Sequence, residues 1–264
     1  MMALQYIKDC IPRSVKRPLR QIYDRSRGLT AGSLSHQKIA TLLGKVDPTI
    51  LEIGCNNGSD TLAFLSVMPK ARIYCFEPDP RAISRFKRNL ADHLDRVTLI
   101  EVAVSNQNGQ IEFHASSGGD SDEGWDQSGS IRQPKNHLRE HPWVKFDKII
   151  AVRTCRLDDW CAETGIEEVD FIWMDVQGAE GDIIKGATRT LEKTRFLYTE
   201  YSNNELYVGQ PSLKRLLAML PRFKIVAKYG RPGDGDILLK NTNKIALLAK
   251  LNGLARQLLG LSVQ

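Results

Sequence analysis

Leu51-Glu52-Ile53-Gly54-Cys55-Asn56-Asn57-Gly58 reads as an apolar strand that ends in a tight glycine turn, with a helix opening near Asp60. Gly54 lets the chain turn sharply, and Gly58 is expected to let a ligand approach the backbone closely. In open α/β sheets, ligands bind at this carboxyl edge, where strand order reverses. The spacing is Gly-x-x-x-Gly and lacks the three-glycine G-x-G-x-x-G that holds a dinucleotide pyrophosphate. Glu52, two residues before the first glycine, suits a ligand carrying an ammonium group. Taken alone, the stretch also fits a purely structural strand-turn-helix.

Outward from this loop, strands and helices alternate from Thr49 onward, the pattern of a parallel sheet covered on both faces. Strands are predicted at Ile50–Ile53, Arg72–Phe76, Val97–Val102, Phe171–Met174, Phe196–Thr199, Lys224–Ala227 and Ile237–Leu239. Helices are predicted around Asp60–Val67, Pro80–Ala91, Glu180–Leu191 and Ser212–Met219. The fold class is therefore α/β, a Rossmann-like doubly wound sheet of about seven strands with N- and C-terminal helical extensions.

The second strand closes on Glu77, about 20 residues after the loop, where a carboxylate can accept from both hydroxyls of a ribose. Pro78 stiffens the turn behind it. As a plain surface acid, Glu77 would be oddly placed at the end of an apolar strand. Loop and acid together point to an adenosyl cofactor. Backbone groups at Val102 and Ala103 can meet an adenine edge. Asp175 projects from a fourth strand end beside the glycine loop, where a reactive methyl would lie. Asp175 and Glu180 also fit simpler roles as a cap and a first-turn acid.

The order LEIGCNNG, YCFEPDP, VAVSNQNG-IEF, VRTCRLDDW, VDFIWMDVQGAE and FLYTEYS resembles the FkbM family of methyltransferases over roughly residues 48 to 240. Asp175-Val176-Gln177-Gly178-Ala179-Glu180 is similar to that family's Asp-x-Glu-Gly-Ala-Glu, with Gln177 in place of the usual Glu. Asn56 matches the family's Asn, and Glu52 stands where an Asp is frequent. The resemblance implies S-adenosyl-L-methionine as cofactor and O-methylation, often of sugars, glycans or natural products. A hydroxyl is a weak nucleophile, so a base or a metal should assist loss of its proton. Asp175 is the first candidate base and Glu200 the second; the two could alternatively share one Mg²⁺. His137 and His141 are further candidate bases, although histidines at this spacing in a polar segment are more often structural.

Three rivals remain at this level. A nicotinamide-dependent oxidoreductase would need G-x-G-x-x-G and a Tyr-x-x-x-Lys, and neither stands near the expected edge. A nucleic-acid methyltransferase gains support from basic ends but lacks the Asn/Asp-Pro-Pro-aromatic signature, and aromatics do not interleave with the basic runs. A silent adenosyl-binding scaffold would not need Glu77, Asp175 and Glu200 together.

The net charge of +6 resides at the two ends of the 264-residue chain. Residues 1–27 carry +5 and residues 240–264 carry +4, which leaves −3 on the body. Residues 1–47 are expected to form a basic helical extension, 48–240 the catalytic domain and 241–264 a C-terminal amphipathic helix. Within the last, Leu247, Leu251, Leu254 and Leu258 share one face of Lys244–Leu259. The basic ends can contact an anionic membrane surface or simply stay solvated. Residues 115–147 read as a polar, Gly/Ser-rich loop insertion, a candidate lid. Five cysteines without a CxxC pair fit reduced thiols and a cytoplasmic location, at most peripheral to the inner face of a membrane. The oligomeric state is not legible.

Overall fold

Every residue of strand β1 (Thr49–Ile53) is buried, because layers of helices cover both faces of the sheet it sits in. The structure, a computed structural model, describes residues 29–30, 32–118 and 125–242. The predicted segment ahead of residue 29 and the Lys244–Leu259 helix lie outside the described residues. β1 pairs in parallel with β2 (Arg72–Phe76) on one side and β7 (Val169–Met174) on the other. With β3 (Val97–Ile100), β8 (Thr194–Ser202), β9 (Phe223–Arg231) and β10 (Asp234–Asn241), they form a seven-stranded sheet in the order β3-β2-β1-β7-β8-β10-β9. β10 runs antiparallel to both neighbours, and the other pairings are parallel. From β1 the chain winds outward to β2 and β3, then returns to β7 on the opposite side. That reversal opens a crevice at the carboxyl ends of β1 and β7.

Side chains alternate across the sheet and divide the core in two. Leu51, Ile53, Ile172, Met174 and Leu197 pack with α5 (Leu157–Thr164), α6 (Glu180–Gly186) and α8 (Leu213–Met219). Ile50, Ile73, Phe171 and Phe196 pack with α1 (His36–Leu43), α2 (Ser59–Val67) and α3 (Pro80–Asn89). Helix α3 begins where Asp79 accepts from the Arg81 N–H at 2.9 Å and Pro80 occupies the first turn.

Three expectations need correction. The predicted strand Val97–Val102 is two strands in different sheets. After β3 the chain turns, and β4 (Ala103–Ser105) pairs with β6 (Val144–Arg156). β6 also forms a long antiparallel hairpin with β5 (Gly109–Gly118), so the 115–147 segment is not structureless where it is described. Its ends belong to β5 and β6, and His137–Glu140 forms the short helix α4. Phe113, Ala115 and Val152 give this three-stranded sheet a small core of its own with Ala103. Finally, the single helix predicted at Glu180–Leu191 is α6 followed by α7 (Thr188–Glu192). The break arises because Asp158 of α5 accepts from the N–H groups of Arg189 and Thr190 and from the Thr188 hydroxyl, capping a new helix start. Among the described residues no helix is long and apolar enough to cross a membrane.

Candidate active site

The glycine loop is built around a close crossing. Gly54 has φ 86°, and a Cβ there would lie 1.9 Å from the Asp175 carbonyl oxygen, so only glycine lets the ends of β1 and β7 meet this closely. The N–H groups of Gly54 and Cys55 donate to the Phe76 carbonyl at 2.9 and 3.2 Å, tying the loop to the end of β2. Asn56, also left-handed at φ 45°, turns its backbone N–H onto Glu77 Oε2 at 2.9 Å. Asp79 N donates to Oε1 at 2.9 Å. Each Glu77 oxygen thus has one backbone donor and keeps lone-pair capacity for a further one. Burial pushes this carboxyl up to about 7, against the two backbone hydrogen bonds.

Gly54, Asn56, Glu77, Pro78, Val102 and Ala103 all line one cavity at the crevice, and Asp175 lines it too. That brings together seven of the ten predicted site residues. Asp175 directly follows β7, and Trp173, two residues earlier, lines the same cavity. Asp175 Oδ1 accepts from Gln177 Nε2 at 2.7 Å, and the same nitrogen lies 3.4 Å from Glu200 Oε2. Asp236, directly across from Glu200 on β10, adds a third carboxylate. Burial, then Asp236 and Asp60, raise Asp175 to about 6, while Asp175 and burial push Glu200 well above the usual carboxylate range.

The far wall comes from the 115–147 segment. Asp126, Gln127 and Ser130 line the cavity. Asp126 is buried, accepts from Asn56 Nδ2 at 3.3 Å and pairs with Arg85. Ser130 Oγ donates to the Gln177 carbonyl at 2.7 Å, and Tyr207 donates to the Ser128 carbonyl at 2.8 Å. These contacts hold the described part of the 115–147 segment against the site in this structure.

Glu200, Gly58 and Glu52 do not line the cavity. Glu200 is linked to Asp175 through the Gln177 amide nitrogen, which lies near both carboxylates. Gly58 packs on α3 instead of admitting a ligand: a Cβ there would lie 2.2 Å from Leu90 Cδ1 and 2.9 Å from Phe86 Cδ2. Gly58→Ala should consequently cost about 1–3 kcal/mol of stability through overpacking. A thermal melt should register this as a drop of several degrees, with affinity for S-adenosylhomocysteine unchanged; weakened binding at full stability would restore the ligand-approach reading.

Glu52, expected to meet an ammonium group, is 1% exposed and points away from the cavity toward α2. Its Oε2 accepts from the Thr61 hydroxyl at 2.6 Å, with Cys75 Sγ at 3.7 Å. Burial raises it from 4.5 to about 8, which favours the neutral acid in the fold. Unfolded Glu52 ionises near 4.5, so its contribution is fully present below that pH and is lost as pH rises toward 8. Glu52→Gln should accordingly flatten the fall in melting temperature between pH 5 and 8. An unchanged slope would mean that Glu52 is ionised inside the fold.

Of the remaining candidates, Glu180 is buried in the first turn of α6, where it accepts from the Gly178 N–H at 3.2 Å, in keeping with the role of a first-turn acid. His137 is buried against His141, Phe146 and Tyr207, and burial lowers it to about 4; neither histidine lines the cavity. Sequence reasoning missed Trp173, Asp126, Gln127 and Asp236. The period of two back from Asp175 marks Trp173, but no local signal marks the others. Among the described residues no group of three His, Cys, Asp or Glu side chains is placed to hold a metal ion.

A seven-stranded sheet with one reversed strand, a glycine loop at its switch point and an acid ending the second strand defines a Rossmann-like fold of the class I methyltransferase type. A family profile described as the methyltransferase FkbM domain matches residues 52–230. The 2-O-methyltransferase NoeI of Sinorhizobium fredii is 53% identical over 238 residues, 90% of this chain and 98% of that protein. Methyltransferase sdnD of Sordaria araneosa is 28% identical over 163 residues, 53% of this chain and 60% of its own. Among solved structures, the Methanococcus jannaschii fibrillarin pre-rRNA processing protein superposes with a TM-score of 0.44 at 15% identity, covering 79% of this chain and 75% of its own. The chain belongs to the FkbM methyltransferase family. It is an S-adenosylmethionine-dependent O-methyltransferase.

Proposed function

We propose that the enzyme methylates a hydroxyl of a neutral sugar unit, in a glycan or a sugar-bearing natural product, and that Asp175 receives the hydroxyl proton. The observation that carries this reading is a single cavity lined by both Glu77 and Asp175. A relative 53% identical is named a 2-O-methyltransferase, and a numbered secondary hydroxyl suits a sugar ring. Carboxylates accept hydrogen bonds from hydroxyls, and a cluster of them disfavours a phosphate-bearing acceptor through like charge. A nucleic-acid acceptor fits this end of the site poorly for the same reason.

Glu77 would take the ribose hydroxyls, Pro78, Val102 and Ala103 the adenine side, and the Gly54–Asn56 loop the amino-acid tail. When bound, S-adenosylmethionine would supply a methyl group activated by a cationic sulfur, a leaving group that takes the electron pair of the C–S bond and departs as a neutral thioether. The chain's part is to hold the acceptor oxygen in line with that bond, which converts a bimolecular encounter into an aligned one. Asp175 accepts the O–H proton as the oxygen lone pair forms the O–CH₃ bond, and then returns the proton to solvent. The base reading is favoured over a Mg²⁺ site because an amide N–H donor already lies between the two carboxylates that would share the ion. Reduced cysteines and basic ends fit a cytoplasmic enzyme that can approach an anionic membrane surface.

Mass spectrometry tests the substrate class. Incubation with S-adenosylmethionine and a panel of neutral sugars, sugar phosphates and oligonucleotides should add one methyl group to members of the first group alone. Methylation confined to phosphorylated or nucleic-acid acceptors would overturn the reading.

A further inference from the structure

Gln177 occupies an unusual position between β7 and α6. It is one of two non-glycine residues with positive φ among the described residues, at 51°, and the other, Asn56, holds Glu77. Its backbone carbonyl is fixed by the Ser130 hydroxyl at 2.7 Å. Its amide nitrogen donates to Asp175 at 2.7 Å and reaches Glu200 at 3.4 Å. The Tyr207 hydroxyl lies 3.3 Å from its amide oxygen. Backbone strain of this kind persists only where surrounding contacts hold it, and here they hold both ends of the side chain.

The titratable groups facing this pair are mostly acidic. Asp60 comes from α2, Glu180 from α6, and Asp236 from β10, while the phenols of Tyr198 and Tyr207 stand on β8 and the loop after it. Asp60 is itself paired with His36 Nε2 at 3.2 Å. A carboxylate at position 177 would add another negative charge to the group. An amide of the same length instead brings a neutral donor, whose N–H favours the ionised form of the carboxylate it touches.

We propose that Gln177 is a positioning residue for methyl transfer, its amide orienting Asp175 toward the acceptor hydroxyl and favouring the charged form of Asp175 over that of Glu200. This rests on the reading of Asp175 as proton acceptor, yet it concerns a property of Asp175 that can be measured without any acceptor. The two carboxylates interact and share their protons, so the arrangement fixes which of them is charged.

The test is an NMR titration of protein carrying ¹³C-labelled aspartate side chains, in the presence of S-adenosylhomocysteine. The Asp175 carboxyl resonance is identified by its absence in Asp175→Asn. In Gln177→Met, which keeps the length but loses the donor, the Asp175 midpoint should rise by about one pH unit, and in Gln177→Glu by at least as much. Melting temperature and S-adenosylhomocysteine affinity report separately on folding and cofactor binding. If Gln177→Met fails to fold, the isosteric Gln177→Glu carries the test. An Asp175 midpoint that stays where it is in a folded Gln177 variant overturns the inference. Loss of the Asp175 proton-acceptor role would show elsewhere, as full turnover in Asp175→Asn on the neutral sugar acceptor, whatever the titration gives.

Discussion

Asp175→Asn is expected to lower turnover by roughly 10²–10⁴-fold, the range for loss of a positioned general base. Asparagine keeps the size and can still meet Gln177, so melting temperature and cofactor affinity should change little. The effect should fall on kcat rather than on binding, because the proton is taken only as the new bond forms. A chelator should leave wild-type activity intact. Glu200→Gln should be milder than Asp175→Asn, since Glu200 does not line the cavity and is linked to Asp175 through Gln177. Activity abolished by chelator and restored by Mg²⁺, with both variants equally damaged, would replace the base with a metal. Full activity in Asp175→Asn would remove Asp175 from the chemistry altogether.

Glu77→Ala should produce the largest loss of cofactor binding. Two ribose hydroxyls would lose a charged acceptor, each contact being worth about 1.5–3 kcal/mol. A loss of ~3 kcal/mol or more corresponds to at least roughly a 10²-fold rise in Kd, measurable by calorimetry with S-adenosylhomocysteine. The N–H groups of Asn56 and Asp79 also lose their acceptor, so the glycine loop should loosen and the free protein should melt earlier. Glu77→Gln separates the effects, because the amide oxygen can still serve one backbone donor. Unchanged affinity in both variants would place the ribose elsewhere.

The strand-loop-helix at Leu51–Gly58, the acid at Glu77 and the acid at Asp175 were legible in the sequence because each belongs to one continuous element. Apolar runs are buried on both faces of a parallel sheet, and the residue that ends such a run reaches the carboxyl edge whatever the rest of the chain does. Local pattern also carried the strand–helix alternation of the body. It misjudged Glu52 and Gly58, because the face on which a buried side chain lies depends on its helix partner. Thr61 claims the first, and Leu90 with Phe86 crowds the second.

Only the tertiary structure decided the rest. β5 and β6 form a separate sheet because their partner β4 leaves the third strand's line, and pairing between distant segments has no local signature. Asp126 joins the cavity through Asn56 and Arg85, and Asp236 meets Glu200 only because β10 inserts antiparallel between β8 and β9. The sequence by itself determined that two strands would end on acids at the carboxyl edge of the sheet, beside the glycine loop. Which carboxylate is charged there depends on long-range burial and on one amide between two strand ends, and those are properties of the packed molecule alone.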